Sequence, residues 1–218
     1  MEKISKRKSD EIYSKLKEDI ITGVLTPGEK LSFRKVAQNY NVSMMPVREA
    51  MTRLHVQDLI TINKKTIRIK KLTASEVEDI FQMRFKLEAM AVEKAMFNIG
   101  DQEKDELLNT VAAMDRMRHQ PAEWQKLNKQ FHLQLYRYAN SKILQSTLEN
   151  LWSSVEAYMH LYVVSRSTDH TLDISHKEHL ELIYLVYRKE AAQSVDLLYR
   201  HLMNTKQVIL QELKQLGG

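Results

Sequence analysis

The stretch PGEKLSFRKVAQNYNVSMMPVREAMTRLHVQDLI, residues 27–60, decides the fold. It reads as two short helices joined by a tight turn. Val36, Ala37 and Tyr40 stand at helical spacing in the first helix. Asn39, Asn41 and Ser43 crowd the break, where turn chemistry is wanted. Ser43 suits the N-cap of the second helix, because its hydroxyl can accept a bond from an otherwise unpaired backbone N–H. That helix runs to about His55, with Val47, Ala50, Met51 and Leu54 inside and Met44, Met45, Arg48, Thr52 and Arg53 outside. This is the pattern of a DNA-reading helix-turn-helix. Taken alone, it weighs no more than an ordinary helical core with solvated arginines.

Working outward, Leu59–Ile62 and Thr66–Ile69 are two short β-rich runs separated by Asn63, Lys64 and Lys65, a hairpin with a basic tip. Upstream, residues 9–22 predict a helix with Ile12, Leu16, Ile20 and Ile21 inward, Ser9 as its cap and Gly23 as its stop. Residues 1–72 hold 16 lysines and arginines against 8 acidic residues, whereas residues 73–218 hold 17 against 20. The excess of positive charge therefore coincides with the helix-turn-helix, as a polyanion partner requires.

The segments TGVLTPGEKL and NVS-x-x-PVREAMTRL, with their spacing, resemble the winged-helix domain of the GntR superfamily of bacterial repressors over about residues 8–72. The resemblance implies a winged helix-turn-helix that binds double-stranded operator DNA. The pattern departs from the family at Met44 and Met45, where arginine and threonine are usual, and in a wing without the usual glycine. Arg48 is expected at a base edge, where a guanidinium matches guanine O6 and N7. Arg34, Ser43, Lys64 and Lys65 are expected at phosphate or the minor groove. Met44 and Met45 cannot donate; they either pack on thymine methyls or leave the contact to Arg48, and Arg53 completes the expected DNA-facing set.

The chain has 218 residues, enough for two modest domains, and no cysteine, so disulfides and thiol chemistry are excluded and a reducing cytoplasm is expected. No apolar run approaches the length of a membrane span, and the charged N-terminus lacks the apolar stretch of a signal peptide. Five glycines and three prolines argue for long helices and few turns. The boundary falls at Lys71–Thr73, where Thr73-Ala-Ser-Glu76 forms a capping box. Beyond it, apolar stripes predict helices over about 73–98, 101–117, 121–139, 141–166, 171–188 and 190–215. The expected fold is mainly α: an N-terminal winged helix-turn-helix (1–72), then an all-α antiparallel bundle of about six helices (73–218).

Polar residues inside those stripes carry the chemistry. Arg84 occupies the inner line of Val77, Ile80, Leu87 and Ala91. Either an i,i+4 pair with Glu88 explains it, or it holds an anionic ligand, and the two are compatible. His132, His179 and His201 lie on apolar faces of three helices, with Asn128 one turn before His132. Each alone fits a core histidine, and together they fit a divalent-ion site. The other histidines, His55, His119, His160, His170 and His176, read as loop or surface residues.

Residues 73–218 also resemble the FCD effector domain of FadR-like GntR regulators, on Arg84-x-x-Leu87-Glu88, Asn128-x-x-Phe131-His132-x-x-Leu135, Glu178-His179 and His201. The resemblance implies a divalent ion, zinc or nickel by ligand type, held by His132, His179, His201 and the residue at Asn128, where metal-binding members carry aspartate. It also implies a small carboxylate effector at Arg84 and Asn128, and a homodimer on a near-palindromic operator. Two alternatives stand beside this: a metal-dependent enzyme, and a DNA-binding protein with a structural, effector-free bundle. For the enzyme, Glu178 is the nearest candidate base, but its position beside His179 predicts a side chain pointing elsewhere on the helix.

Overall fold

The computed structural model describes residues 2–63, 66–166 and 171–215. It divides into two compact units, Met1–Leu72 and Thr73–Gly218. Among the described residues, no helix is long and apolar enough to cross a membrane.

The N-terminal unit contains α1 (Glu2–Ile21), β1 (Lys30–Leu31), α2 (Phe33–Asn39), α3 (Met44–Val56), β2 (Ile60–Asn63) and β3 (Thr66–Ile69). Its core is the apolar stripe of α1 (Ile12, Leu16, Ile20) against the inner face of α3, where Val47, Ala50, Met51 and Leu54 are completely buried. Removing such side chains from water contributes about 1.5–3 kcal/mol each. The helix α1 starts at Glu2, so Ser9 is not its cap; Ser9 lies inside the helix and is buried. The turn between α2 and α3 passes through Asn41 at φ +49°, a conformation that asparagine tolerates better than most side chains.

The hairpin β2–β3 pairs Ile60 with Ile69 and Ile62 with Ile67. A third strand escaped the sequence reading: β1 adds to the other edge of β3, pairing Leu31 with Ile67. At two residues it is too short to show an alternating pattern. Gly28, at φ +85°, makes the turn that delivers it, donating its N–H to the Ile69 carbonyl at 3.0 Å. The PGEKL segment is therefore the device that closes the wing onto the body of the unit.

The C-terminal unit contains α4 (Ala74–Ala95), α5 (Asp101–Arg116), α6 (Pro121–Arg137), α7 (Lys142–Arg166), α8 (Thr171–Tyr187) and α9 (Ala191–Gln215). The expected helices are present, with ends shifted by up to three residues. Thr73 caps α4 through a complete capping box: its hydroxyl accepts from the Glu76 N–H at 3.2 Å, and the Glu76 carboxylate accepts from the Thr73 N–H at 2.8 Å. Helix α4 packs against α6, α7 and α9, and α9 packs against α8. That arrangement aims the inner faces of α4, α6, α8 and α9 at one place.

Candidate functional site

In the N-terminal unit the candidate contacts lie on an exposed face. Arg34 on α2 is exposed, as are Arg48, Met44 and Met45 on α3, with Met45 at 65%. The guanidinium of Arg48 lies 4.9 Å from the centre of the Phe33 ring on the same unit. Ser43 occupies the N-cap position, but its hydroxyl makes no capping bond, contrary to expectation, and stays exposed beside the free N–H groups of the first turn. Arg53 differs from the others. One of its nitrogens lies 2.6 Å from Asp10, and its guanidinium covers Tyr13 at 3.9 Å. It ties α3 to α1 instead of projecting freely from the reading face. Lys64 and Lys65 lie outside the described residues.

In the C-terminal unit the residues named from sequence do converge. Ligand atoms of His132, His179 and His201 all lie within 4.8 Å of one another, and all three side chains are buried. Asn128 is buried one turn before His132, and Arg84 is 1% exposed on α4. The Nε of Arg84 donates to Glu88 at 2.7 Å, so the i,i+4 pair exists. It does not use the whole guanidinium, for Nη1 has no hydrogen-bond partner among the described residues.

Unpaired polar atoms mark the site. Six buried side-chain nitrogens and oxygens lack a partner among the described residues, and five belong to Arg84, Asn128, Trp152 and both ring nitrogens of His179. Leaving such an atom unsatisfied costs about 1–3 kcal/mol. Arg84, Asn128, His132, Trp152 and His201 line a cavity of about 10 Å³, room for one ion or water. Burial pushes the pKa of His132 well below its ordinary value, with His179, His201 and Arg84 adding to the effect. Burial does the same to His179, helped by His201 and His176. Both rings are thus neutral near neutral pH, the form that binds a metal. Three imidazole rings and an amide oxygen suit a borderline divalent ion.

Several partners of these residues emerge only in the folded protein. The Tyr136 hydroxyl donates to Glu88 and lies 3.0 Å from His132 Nδ1. Its place four residues after His132 was the available signal. Glu178 does not point elsewhere: its carboxylate lies 2.7 Å from His201 Nδ1, on the neighbouring helix. That contact crosses between α8 and α9 and has no signature in spacing. His160 is half-buried on α7 and contacts Gln125 at 3.1 Å, so it is no loop residue. His55 is exposed, as expected, and one of its ring nitrogens lies 3.0 Å from the Ile60 carbonyl.

Comparison with known families matches residues 79–204 to the FCD domain and residues 8–66 to the bacterial regulatory proteins of the gntR family. The chain belongs to the GntR family. It is a transcriptional regulator of that family with an FCD domain, in keeping with the FadR-like branch. This GntR regulator is 28% identical over 209 residues to the HTH-type transcriptional repressor GlaR of Escherichia coli K12, covering 92% of this chain and 95% of the relative. It is 27% identical over 213 residues to the uncharacterized HTH-type transcriptional regulator YdhC of Bacillus subtilis, covering 94% of this chain and 93% of that one. Among solved structures it is similar to E. coli McbR/YncC, with a TM-score of 0.79 at 22% identity over 94% of this chain and 98% of that chain. That likeness shows the fold. The families and relatives matched are transcriptional regulators, so the enzymatic alternative falls.

Proposed function

We propose that this GntR regulator is a cytoplasmic repressor. It binds a near-palindromic operator as a homodimer and is released when a small carboxylate joins a divalent ion in the C-terminal unit. The observation that carries the reading is the convergence of His132, His179 and His201 within 4.8 Å, beside the unpaired oxygen of Asn128 and the unpaired Nη1 of Arg84. His132, His179, His201 and Asn128 would hold the ion, zinc or nickel by ligand type. Asn128 brings no charge, so the ion keeps more positive charge than an aspartate site would leave it. That favours an anionic ligand, with Arg84 at the far end of its carboxylate.

The cavity fits an ion and not a metabolite. A carboxylate must therefore open the surrounding helices, which gives it different affinities for two arrangements of the unit, the requirement for any ligand-driven switch. At the DNA, Arg48 reads a base edge, Met44 and Met45 pack on thymine methyls, and Arg34, Ser43, Lys64 and Lys65 contact phosphate or the minor groove. Arg53 ties α3 to α1 through Asp10 and Tyr13.

The test is a calorimetric scan of divalent ions over chelator-stripped protein. Sedimentation and operator release by small mono- and dicarboxylates are measured in parallel. The expected outcome is one ion per chain, a dimer of 25.6 kDa chains, and release that needs the ion. Asn128→Asp should tighten the ion and lessen the dependence on carboxylate. The reading fails if no divalent ion binds more tightly than about 1 mM while a variant lacking all three histidines still responds to carboxylate.

A further inference from the structure

The donors gathered at the site, His132, His179, His201 and Asn128, include no carboxylate, yet two carboxylates stand directly behind them. Glu178 on α8 places an oxygen 2.7 Å from Nδ1 of His201. A carboxylate accepts and does not donate, so Nδ1 of His201 must carry the hydrogen. Glu88 on α4 is completely buried and accepts the hydrogen of the Tyr136 hydroxyl. With its hydrogen committed to Glu88, the Tyr136 oxygen can only accept from His132, whose Nδ1 lies 3.0 Å away. Nδ1 of His132 therefore carries its hydrogen as well. In a neutral ring the other nitrogen is then bare. Both hydrogen-bond chains leave Nε2 as the free lone pair, of His132 and of His201. His179 has no such support among the described residues, where neither of its ring nitrogens has a hydrogen-bond partner.

Resting on the metal reading above, we infer that Glu178 and the Glu88–Tyr136 pair are positioning residues of the ion site. They fix Nε2 of His132 and His201 as the ligating atoms and supply from behind the rings the negative charge that Asn128 does not supply in front. A hydrogen bond from Nδ1–H to a carboxylate makes the opposite nitrogen more basic and holds the ring in one orientation. The two supports differ. Glu178 acts on His201 directly, across the α8–α9 contact. Glu88 acts on His132 through a hydroxyl, and the same carboxylate also holds Arg84 Nε at 2.7 Å. Glu88 thus joins the ion site to the guanidinium assigned to the carboxylate ligand, so the ion and the anion share one anchoring residue on α4. His179 is left as the ligand whose ring is ordered by the ion itself.

The experiment reads tautomers first and affinity second, on the full chain. Long-range ¹H–¹⁵N spectra of chelator-stripped protein should show His132 and His201 protonated at Nδ1 and bare at Nε2. Tyr136→Phe should release His132 into a mixture of tautomers, and Glu178→Ala should do so for His201. Zinc affinity, measured by competition with a chromophoric chelator, should fall about 10–100-fold in each. Glu178→Gln keeps an acceptor and removes the charge; it should retain the His201 tautomer and still lose affinity. Cobalt substituted for zinc should show a changed visible spectrum in each variant that binds it, which a simple loss of stability would not produce. Nε2-protonated rings in the parent protein would overturn the inference. So would variants that leave both the tautomers and zinc affinity unchanged. If the parent tautomers are as stated but no divalent ion binds, the metal reading fails and the assignment of the positioning residues to the rings stands.

Discussion

The two units handle charge in opposite ways. In the N-terminal unit, Arg34 and Arg48 are exposed, and the buried residues among those described are aliphatic or methionine save Ser9 and Pro46. In the C-terminal unit, Arg84 and Glu88 are 1% and 0% exposed, and three histidines and an asparagine are buried around them. An exposed arginine contributes little to stability and is free to meet a polyanion. A buried arginine must be paired, and the pairing here is incomplete. The surface of one unit can change with little effect on its fold. The functional residues of the other are also part of its core, so function and stability there are changed together.

The strongest way to break this contrast is Glu88→Ala. It leaves the Arg84 guanidinium buried without its carboxylate and should cost about 3–5 kcal/mol. Both tryptophans, Trp124 and Trp152, belong to the C-terminal unit, so denaturant unfolding followed by their fluorescence reports that unit alone. If the midpoint hardly moves, Arg84 and Glu88 are not the buried pair that the geometry shows.

Acid should sharpen the contrast further. His132 and His179 have depressed pKa values in the folded protein, so the unfolded chain binds protons first as pH falls. Their contribution to stability is fully present above the ordinary histidine value of about 6.5 and is lost below it, as pH falls toward the depressed values. The loss is at most about 1.4 kcal/mol per pH unit for each ring. Chelator-stripped protein should therefore lose tryptophan-monitored stability as pH falls from about 6.5 to 5. Replacing both rings with leucine or phenylalanine should flatten that dependence; an unchanged slope would assign it to other groups.

The smallest effect is expected in the N-terminal unit. Arg48→Ala should cost about 1–3 kcal/mol on operator DNA and relax specificity at one base pair in each half-site, with no change in thermal stability. Equal losses on operator and on random duplex would move Arg48 from base reading to phosphate contact.

Much of this molecule was legible because its signals are local. The helix-turn-helix pattern between Val36 and Leu54, the capping box at Thr73 and the apolar stripes of α4 to α9 each arise within a few turns of chain, where spacing and burial are tied by helix geometry. The three histidines could be named for the same reason, since each lies on an inward stripe of its own helix. Their convergence could not, because it depends on how α4, α6, α8 and α9 pack. Position alone suggested that Arg53 faces DNA; only the approach of α1 gave it Asp10 and Tyr13 as partners. The two-residue β1 carries no periodicity and exists because Gly28 turns the chain onto β3. Glu178 stands next to His179 in the chain yet serves His201 on the neighbouring helix. Helical periodicity determined which face each residue takes. Only the packing of one helix on another decided which partner a buried polar atom finds there, because that partner is set by distances across the core and not along the chain.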